Sequence, residues 1–154
     1  MQNAIFKKKV FFGCSMRGGQ AAVSREDLAR FPVMIEELGC ELASKHQTEK
    51  GVIQKENLLS KTEIHDRDYQ WILASACGVF EISNPSLGVG GEISDMLHEG
   101  KPVLCLYKKE LEASVSAYIL GKDGSLIPFK GRCECRSYET LEEAKSIIGV
   151  FLGQ

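Results

Sequence analysis

Three stretches of the sequence hold residue types that chemistry needs. Gly13-Cys14-Ser15-Met16-Arg17-Gly18-Gly19 follows one apolar run, and Ser83-Asn84-Pro85-Ser86-Leu87-Gly88-Val89-Gly90-Gly91-Glu92 follows another. Glycines let backbone N–H groups turn toward an anion, and a helix that begins directly after such a loop adds the positive end of its dipole. Ser15 and Ser86 bring hydroxyl donors, and Arg17 brings a planar, permanently charged fork suited to phosphate oxygens. Either loop alone reads equally well as the turn through which a strand meets a helix. Two such loops, each with a serine and one with an arginine, point to an anion site.

The third stretch is a helical pattern over residues 61–75. Asp68 falls four residues after Ile64 and four before Ile72, on the stripe completed by Trp71 and Ser75. It is expected to point inward, while Asp66, Arg67 and Gln70 stay in water. A carboxylate is costly to bury unless it is paired or hydrogen-bonded, so such a position suggests a working group. Glu92 reads as a residue of the first turn of the helix after the second loop. A carboxylate there can be an ordinary dipole-favoured surface group, but Gly90-Gly91 leaves it without side-chain cover. Two carboxylates beside an anion pocket suit glycosidic chemistry, in which one attacks or stabilises an oxocarbenium-like centre and the other assists proton transfer. Of the histidines, His65 adjoins the helical face of Asp68 and either lines the site or packs structurally. His46 ends the second strand beside the same crevice and is a candidate substrate contact, and His98 suits the negative end of its helix.

Short apolar runs alternate with longer helical patterns in a way that positions these groups. Strands are expected at 10–14, 40–43, 77–82, 102–107 and 133–136, and helices at 25–38, 61–75, 89–99, 114–120 and 141–152. Ser24 and Ser60 read as N-caps, the latter in a capping box with Glu63, and Pro32 is expected to kink or restart the first helix. Residues 44–59 read as a polar loop with a short helical turn. This alternation predicts an α/β fold: a three-layer flavodoxin-like or Rossmann-like domain with a five-stranded parallel sheet in the order 2-1-3-4-5. In that order the strands before the two glycine loops are neighbours at the point where the strand order reverses, and their loops wall one crevice.

Composition sets the outer bounds. The 154 residues fit one domain over 8–154 behind a short tail over 1–7, and 44% hydrophobic with 26% charged residues is the balance of a folded globular chain. A net charge of −2 gives no footprint for a nucleic-acid polymer, and no apolar run is long enough for a bilayer. The six cysteines read as reduced thiols of a cytoplasmic protein, most of them within apolar runs, since no secretory signal precedes the first strand. Cys133-Glu134-Cys135 has the wrong spacing for a zinc knuckle and no second pair, so no metal is expected.

The blocks from Phe12 to Gly19, from Ile64 to Asp68 and from Pro85 to Glu92 resemble, in that order, the 2′-deoxynucleoside 5′-monophosphate N-glycosidases of the nucleoside 2-deoxyribosyltransferase superfamily. The resemblance continues through residues 101–106 and 114–119. It implies that Glu92 attacks the anomeric carbon to give a covalent 5-phosphosugar intermediate that water resolves. It further implies that Asp68 holds the sugar and helps the base leave, and that Ser15, Met16, Arg17, Gly18, Gly19, Ser86 and Gly88 line the phosphate and sugar pocket. It implies a homodimer whose Ser116 reaches the neighbouring site, with no metal or organic cofactor. Where the deoxyribonucleotide hydrolases of that family carry a tyrosine near the catalytic carboxylates, this chain has Phe11, as related cytidine monophosphate hydrolases do. The competing readings are a deoxyribosyltransferase acting on free nucleosides, against which Arg17 argues, and a nucleotide-binding module without catalysis.

Overall fold

The computed structural model describes residues 7–15, 22–44, 51–127 and 130–154. Five strands, β1 (Lys9–Cys14), β2 (Glu41–Leu42), β3 (Cys77–Glu81), β4 (Val103–Lys108) and β5 (Cys133–Tyr138), form one parallel sheet in the order β2-β1-β3-β4-β5. The expected order is the observed one. Between them run α1 (Arg25–Glu37), α2 (Val52–Glu56), α3 (Lys61–Ala74), α4 (Leu87–His98), α5 (Ala117–Leu120) and α6 (Leu141–Leu152).

Strand residues alternate between two cores because successive side chains leave opposite faces of a sheet. Val10, Phe12, Cys14, Val79, Leu104, Leu106 and Tyr138 pack with α1 and α6 residues on one face. Phe11, Phe80, Val103, Cys105 and Cys133 pack with Ile72 of α3 and with Ile93, Met96 and Leu97 of α4 on the other. All six cysteines are free, and five are buried. Among the described residues no helix is long and apolar enough to cross a membrane.

The helix ends follow their local signals. Ser24 Oγ accepts from Asp27 N–H, and Ser60 and Glu63 close the capping box reciprocally, at 3.1 and 2.7 Å. Lys101 Nζ donates to the carbonyls of Ile72, Leu73 and Ser75, closing the C-terminal end of α3. Two expectations are corrected. Pro32 does not restart α1: the helix runs through it, and Pro32 lies buried on the same side as Leu28, Phe31, Met34 and Ile35. The burial of that face outweighs the one hydrogen bond that proline cannot make. The segment expected as one helix over 114–120 is a 3-10 helix (Lys109–Ser114) followed by the short α5.

Candidate active site

β1 and β3 lie side by side with Gly13 opposite Phe80 and Cys14 opposite Glu81, so both glycine loops leave the sheet at the same edge. Two contacts clamp them together. Ser15 Oγ donates to the Pro85 carbonyl at 3.3 Å. Beyond the segment 16–21, the buried Asn84 amide takes both backbone groups of Val23, its Oδ1 accepting from the N–H at 3.1 Å and its Nδ2 donating to the carbonyl at 3.2 Å. The loop after β1 is thus fixed at both ends to the loop after β3. Met16, Arg17, Gly18, Gly19 and His46 lie outside the described residues.

α4 begins two residues earlier than its glycines suggested. Ser86 is the N-cap, its Oγ accepting from Val89 N–H at 3.3 Å, and the helix then carries Gly88, Gly90 and Gly91 in its first two turns. Three helical glycines cost roughly 2–3 kcal/mol relative to alanine; the cap and the buried face of Val89, Ile93, Met96 and Leu97 offset that cost. Glu92 therefore sits in the second turn, not the first, where the helix dipole no longer accounts for a carboxylate.

The Glu92 side chain is directed at the end of β1. Its Oε2 is sealed from solvent without a hydrogen-bond partner, and a Cβ on Gly13 would lie 3.1 Å from it and 2.5 Å from the Phe80 ring. Only glycine leaves that space. Burial, then the charges of Asp68 and Asp95, push the Glu92 carboxyl up to about 8, with Arg67 pulling the other way. A Cβ at Gly90 or Gly91 would meet nothing within 4 Å, but that open space lies at the glycines: the Glu92 Oε2, expected to be uncovered, is sealed from solvent.

Asp68 lies in the third turn of α3 with its side chain 16% exposed, inward as the spacing predicted. The expectation for Arg67 is corrected: it does not stay in water. Its Nε and Nη2 donate to Asp68 Oδ1 at 2.9 and 2.7 Å, its Nη1 pairs with the buried Glu56 at 2.7 Å, and its guanidinium lies 4.6 Å from the Trp71 ring. The signal was in the sequence, since Arg67 stands three residues after Ile64 and four before Trp71, on the same stripe as Asp68. His65 does not line the site; it is exposed and pairs with Asp66 at 2.9 Å. His98 is exposed at the end of α4 and contacts the Ser94 carbonyl at 2.7 Å, the dipole position expected of it.

Phe11 is fully buried, its ring 5.6 Å from that of Phe80, and Phe80 and Glu92 both border the space that a Cβ on Gly13 would fill. Below the loops, on the other sheet face, the buried Glu81 accepts from Ser83 Oγ and N–H and from Tyr138 Oη, while Lys108 N–H donates to Ser83 Oγ. Neither this network nor the Asn84 clamp was singled out from sequence. Burial, Glu81 and Glu92 push the Cys14 thiol up to about 12, which removes it as a nucleophile. A mostly apolar cavity of about 540 Å³ is bordered by α4 residues other than Glu92 and holds Ser86, Val89, Ile93, Ser116 and Tyr118; neither catalytic candidate lines it.

No family model matches the chain. A curated protein of Methanococcoides burtonii, provisionally named 2′-deoxynucleoside 5′-phosphate N-hydrolase 1, is 37% identical over 114 residues, covering 73% of this chain and 89% of that one. The chain belongs to the 2′-deoxynucleoside 5′-phosphate N-hydrolase family. Another family relative, the 5-hydroxymethyl-dUMP N-hydrolase of Tetraodon nigroviridis, is 31% identical over 140 residues, covering 88% of this chain and 95% of that one. Among solved structures, the Clostridium botulinum CMP N-glycosidase superposes with a TM-score of 0.64 at 16% identity over 94% of this chain and 99% of its own, so the fold is shared with that enzyme.

Proposed function

We propose that this N-hydrolase family member uses water to cleave the N-glycosidic bond of nucleoside 5′-monophosphates, through a covalent glycosyl-enzyme at Glu92. The observation that carries the reading is the Glu92 carboxyl: buried, aimed at the glycine kept open at the end of β1, and electrostatically coupled to Asp68. Such a carboxyl has no structural partner to satisfy and is placed for a substrate. The printed names of the relatives, which are nucleoside-phosphate N-hydrolases, support the same reaction class.

The steps follow from one proton shared by two carboxylates. In the free site the proton rests on Glu92, beside the Asp68–Arg67 ion pair; substrate binding transfers it to Asp68 and leaves Glu92 ionised for attack. A Glu92 oxygen bonds to the anomeric carbon as the carbon–nitrogen bond breaks, and the electron pair leaves with the base, which takes the Asp68 proton. Water then attacks the same carbon, the Glu92 ester bond breaks, and the water proton returns to the carboxylate pair. Arg67 holds the Asp68 carboxylate in place from one side. In this account Ser15, Met16, Arg17, Gly18, Gly19, Ser86 and Gly88 receive the phosphate and sugar, and His46 contacts the substrate. Phe11, packed on Phe80, offers no hydroxyl near the carboxylates, so the deoxyribose preference of the hydrolases that carry a tyrosine there is not carried over to this chain.

The active form is a cytoplasmic homodimer in which Ser116 reaches the partner's phosphate. The exposed Leu87 and Tyr118 beside the apolar cavity support a protein partner on that face. A chromatographic screen of ribo- and deoxyribonucleoside monophosphates beside their nucleosides, with and without an acceptor base, tests the reading. Free base is expected from the monophosphates alone. Base exchange on unphosphorylated nucleosides would establish a transferase instead.

A further inference from the structure

The sequence made Cys133-Glu134-Cys135 an incomplete metal pair, and the fold supplies what was missing. In the β4–β5 register Val103 stands opposite Cys133 and Cys105 opposite Cys135. Residues two apart on a strand share a face, so Cys133 and Cys135 point the same way, and the neighbouring strand sets Cys105 on that face beside Cys135. The three Sγ atoms lie within 4.8 Å of one another. Cys105 is fully buried, Cys133 is 6% exposed and Cys135 is partly buried, so the cluster is sheltered yet reached from one side.

The geometry points to a three-thiolate site for a thiophilic d10 cation, Zn(II) or its analogue Cd(II), formed by Cys105, Cys133 and Cys135. Zinc–sulfur bonds of about 2.3 Å require tetrahedral sulfurs about 3.8 Å apart, so the observed spacing closes on a metal by small side-chain rotations. Thiolates are the ligands that select such ions over harder cations. An oxygen is also at hand for a fourth position: the Ile119 carbonyl lies 3.8 Å from Cys135 Sγ. Three thiolates on a divalent ion leave one negative charge; beside the cluster Asp123 Oδ2 accepts from Cys135 N–H at 2.9 Å and from Arg136 Nη1 at 2.8 Å, so its own charge is paired. Binding displaces the S–H protons to solvent, so affinity rises with pH.

The test uses the full chain, reduced and stripped of metal. Titration with Cd(II) is expected to give one equivalent per chain with a thiolate-to-metal charge-transfer band. Zn(II) is expected to raise the melting temperature and to slow alkylation of Cys133 and Cys135 at least tenfold. Cys133→Ser and Cys105→Ser should each weaken binding at least tenfold, while Cys40→Ser leaves it unchanged. The wild-type protection experiment decides the matter even if a cysteine variant fails to fold. Alkylation of Cys133 and Cys135 unaffected by Zn(II), or Cd(II) binding retained in a folded Cys133→Ser protein, would overturn the site.

Discussion

Glu92 carries a conflict that the protein uses. Its carboxyl is driven up to about 8, first by burial and then by the charges of Asp68 and Asp95. The folded state therefore holds a proton that the unfolded chain releases above the ordinary carboxylate range. The associated stability is fully present at acid pH and is lost as pH rises through about 8. Glu92→Gln, which needs no ionisation, is expected to raise the melting temperature at pH 8–9 with little change at pH 5. The gain is on the order of a few kcal/mol at most, and calorimetry of the two proteins at both pH values would measure it. In the proposed mechanism the same proton serves base departure, so kcat/KM for a monophosphate should fall as pH rises above about 8. Because Asp68 helps raise the Glu92 carboxyl, Asp68→Asn should move the Glu92 titration downward, as followed by NMR of labelled glutamate carboxyls. An unmoved titration would mean that the two carboxylates do not form a pair.

Among the elements, the join between β1 and α4 governs the site. Gly13→Ala forces a Cβ into the Phe80 ring and toward Glu92. It should cost about 1–3 kcal/mol of stability and lower kcat at least tenfold, measured on protein that remains folded by circular dichroism. The Asn84 clamp makes a different prediction. Asn84→Asp keeps the acceptor for Val23 N–H but sets a carboxylate against the Val23 carbonyl. It should raise KM for monophosphates at least tenfold with a smaller effect on kcat, which initial-rate kinetics would separate. Much of this arrangement was legible beforehand. Short apolar runs alternating with helical patterns placed all five strands, and the Ile64–Ile72 spacing turned Asp68 inward. What was missed depends on long-range pairing. Nothing local says that Asn84 meets Val23 or that Arg67 reaches Glu56, although the place of Arg67 on the inward stripe beside Asp68 was itself legible. The start of α4 was misplaced because three glycines hid a helix that Ser86 caps and its apolar face retains.

At the scale of the whole molecule, α4 carries Glu92 and also borders the apolar cavity beside Ser116. If Ser116 serves the partner's phosphate, defects in Glu92 and Ser116 lie in different chains of one site. Equal mixing of inactive Glu92→Gln and Ser116→Ala chains should then restore about a quarter of wild-type activity, since half of the dimers are mixed and each holds one intact site. No recovery in dimers shown to exchange would return Ser116 to its own site. The order β2-β1-β3-β4-β5 makes the rest intelligible, because it sets both glycine loops at one edge of the sheet. The measurement closest to the central claim is base release by Glu92→Gln at saturating nucleoside monophosphate, beside its binding of the same ligand by calorimetry. The account predicts retained binding with release at least a thousandfold slower than wild type. Release within tenfold of wild type would contradict Glu92 as the nucleophile.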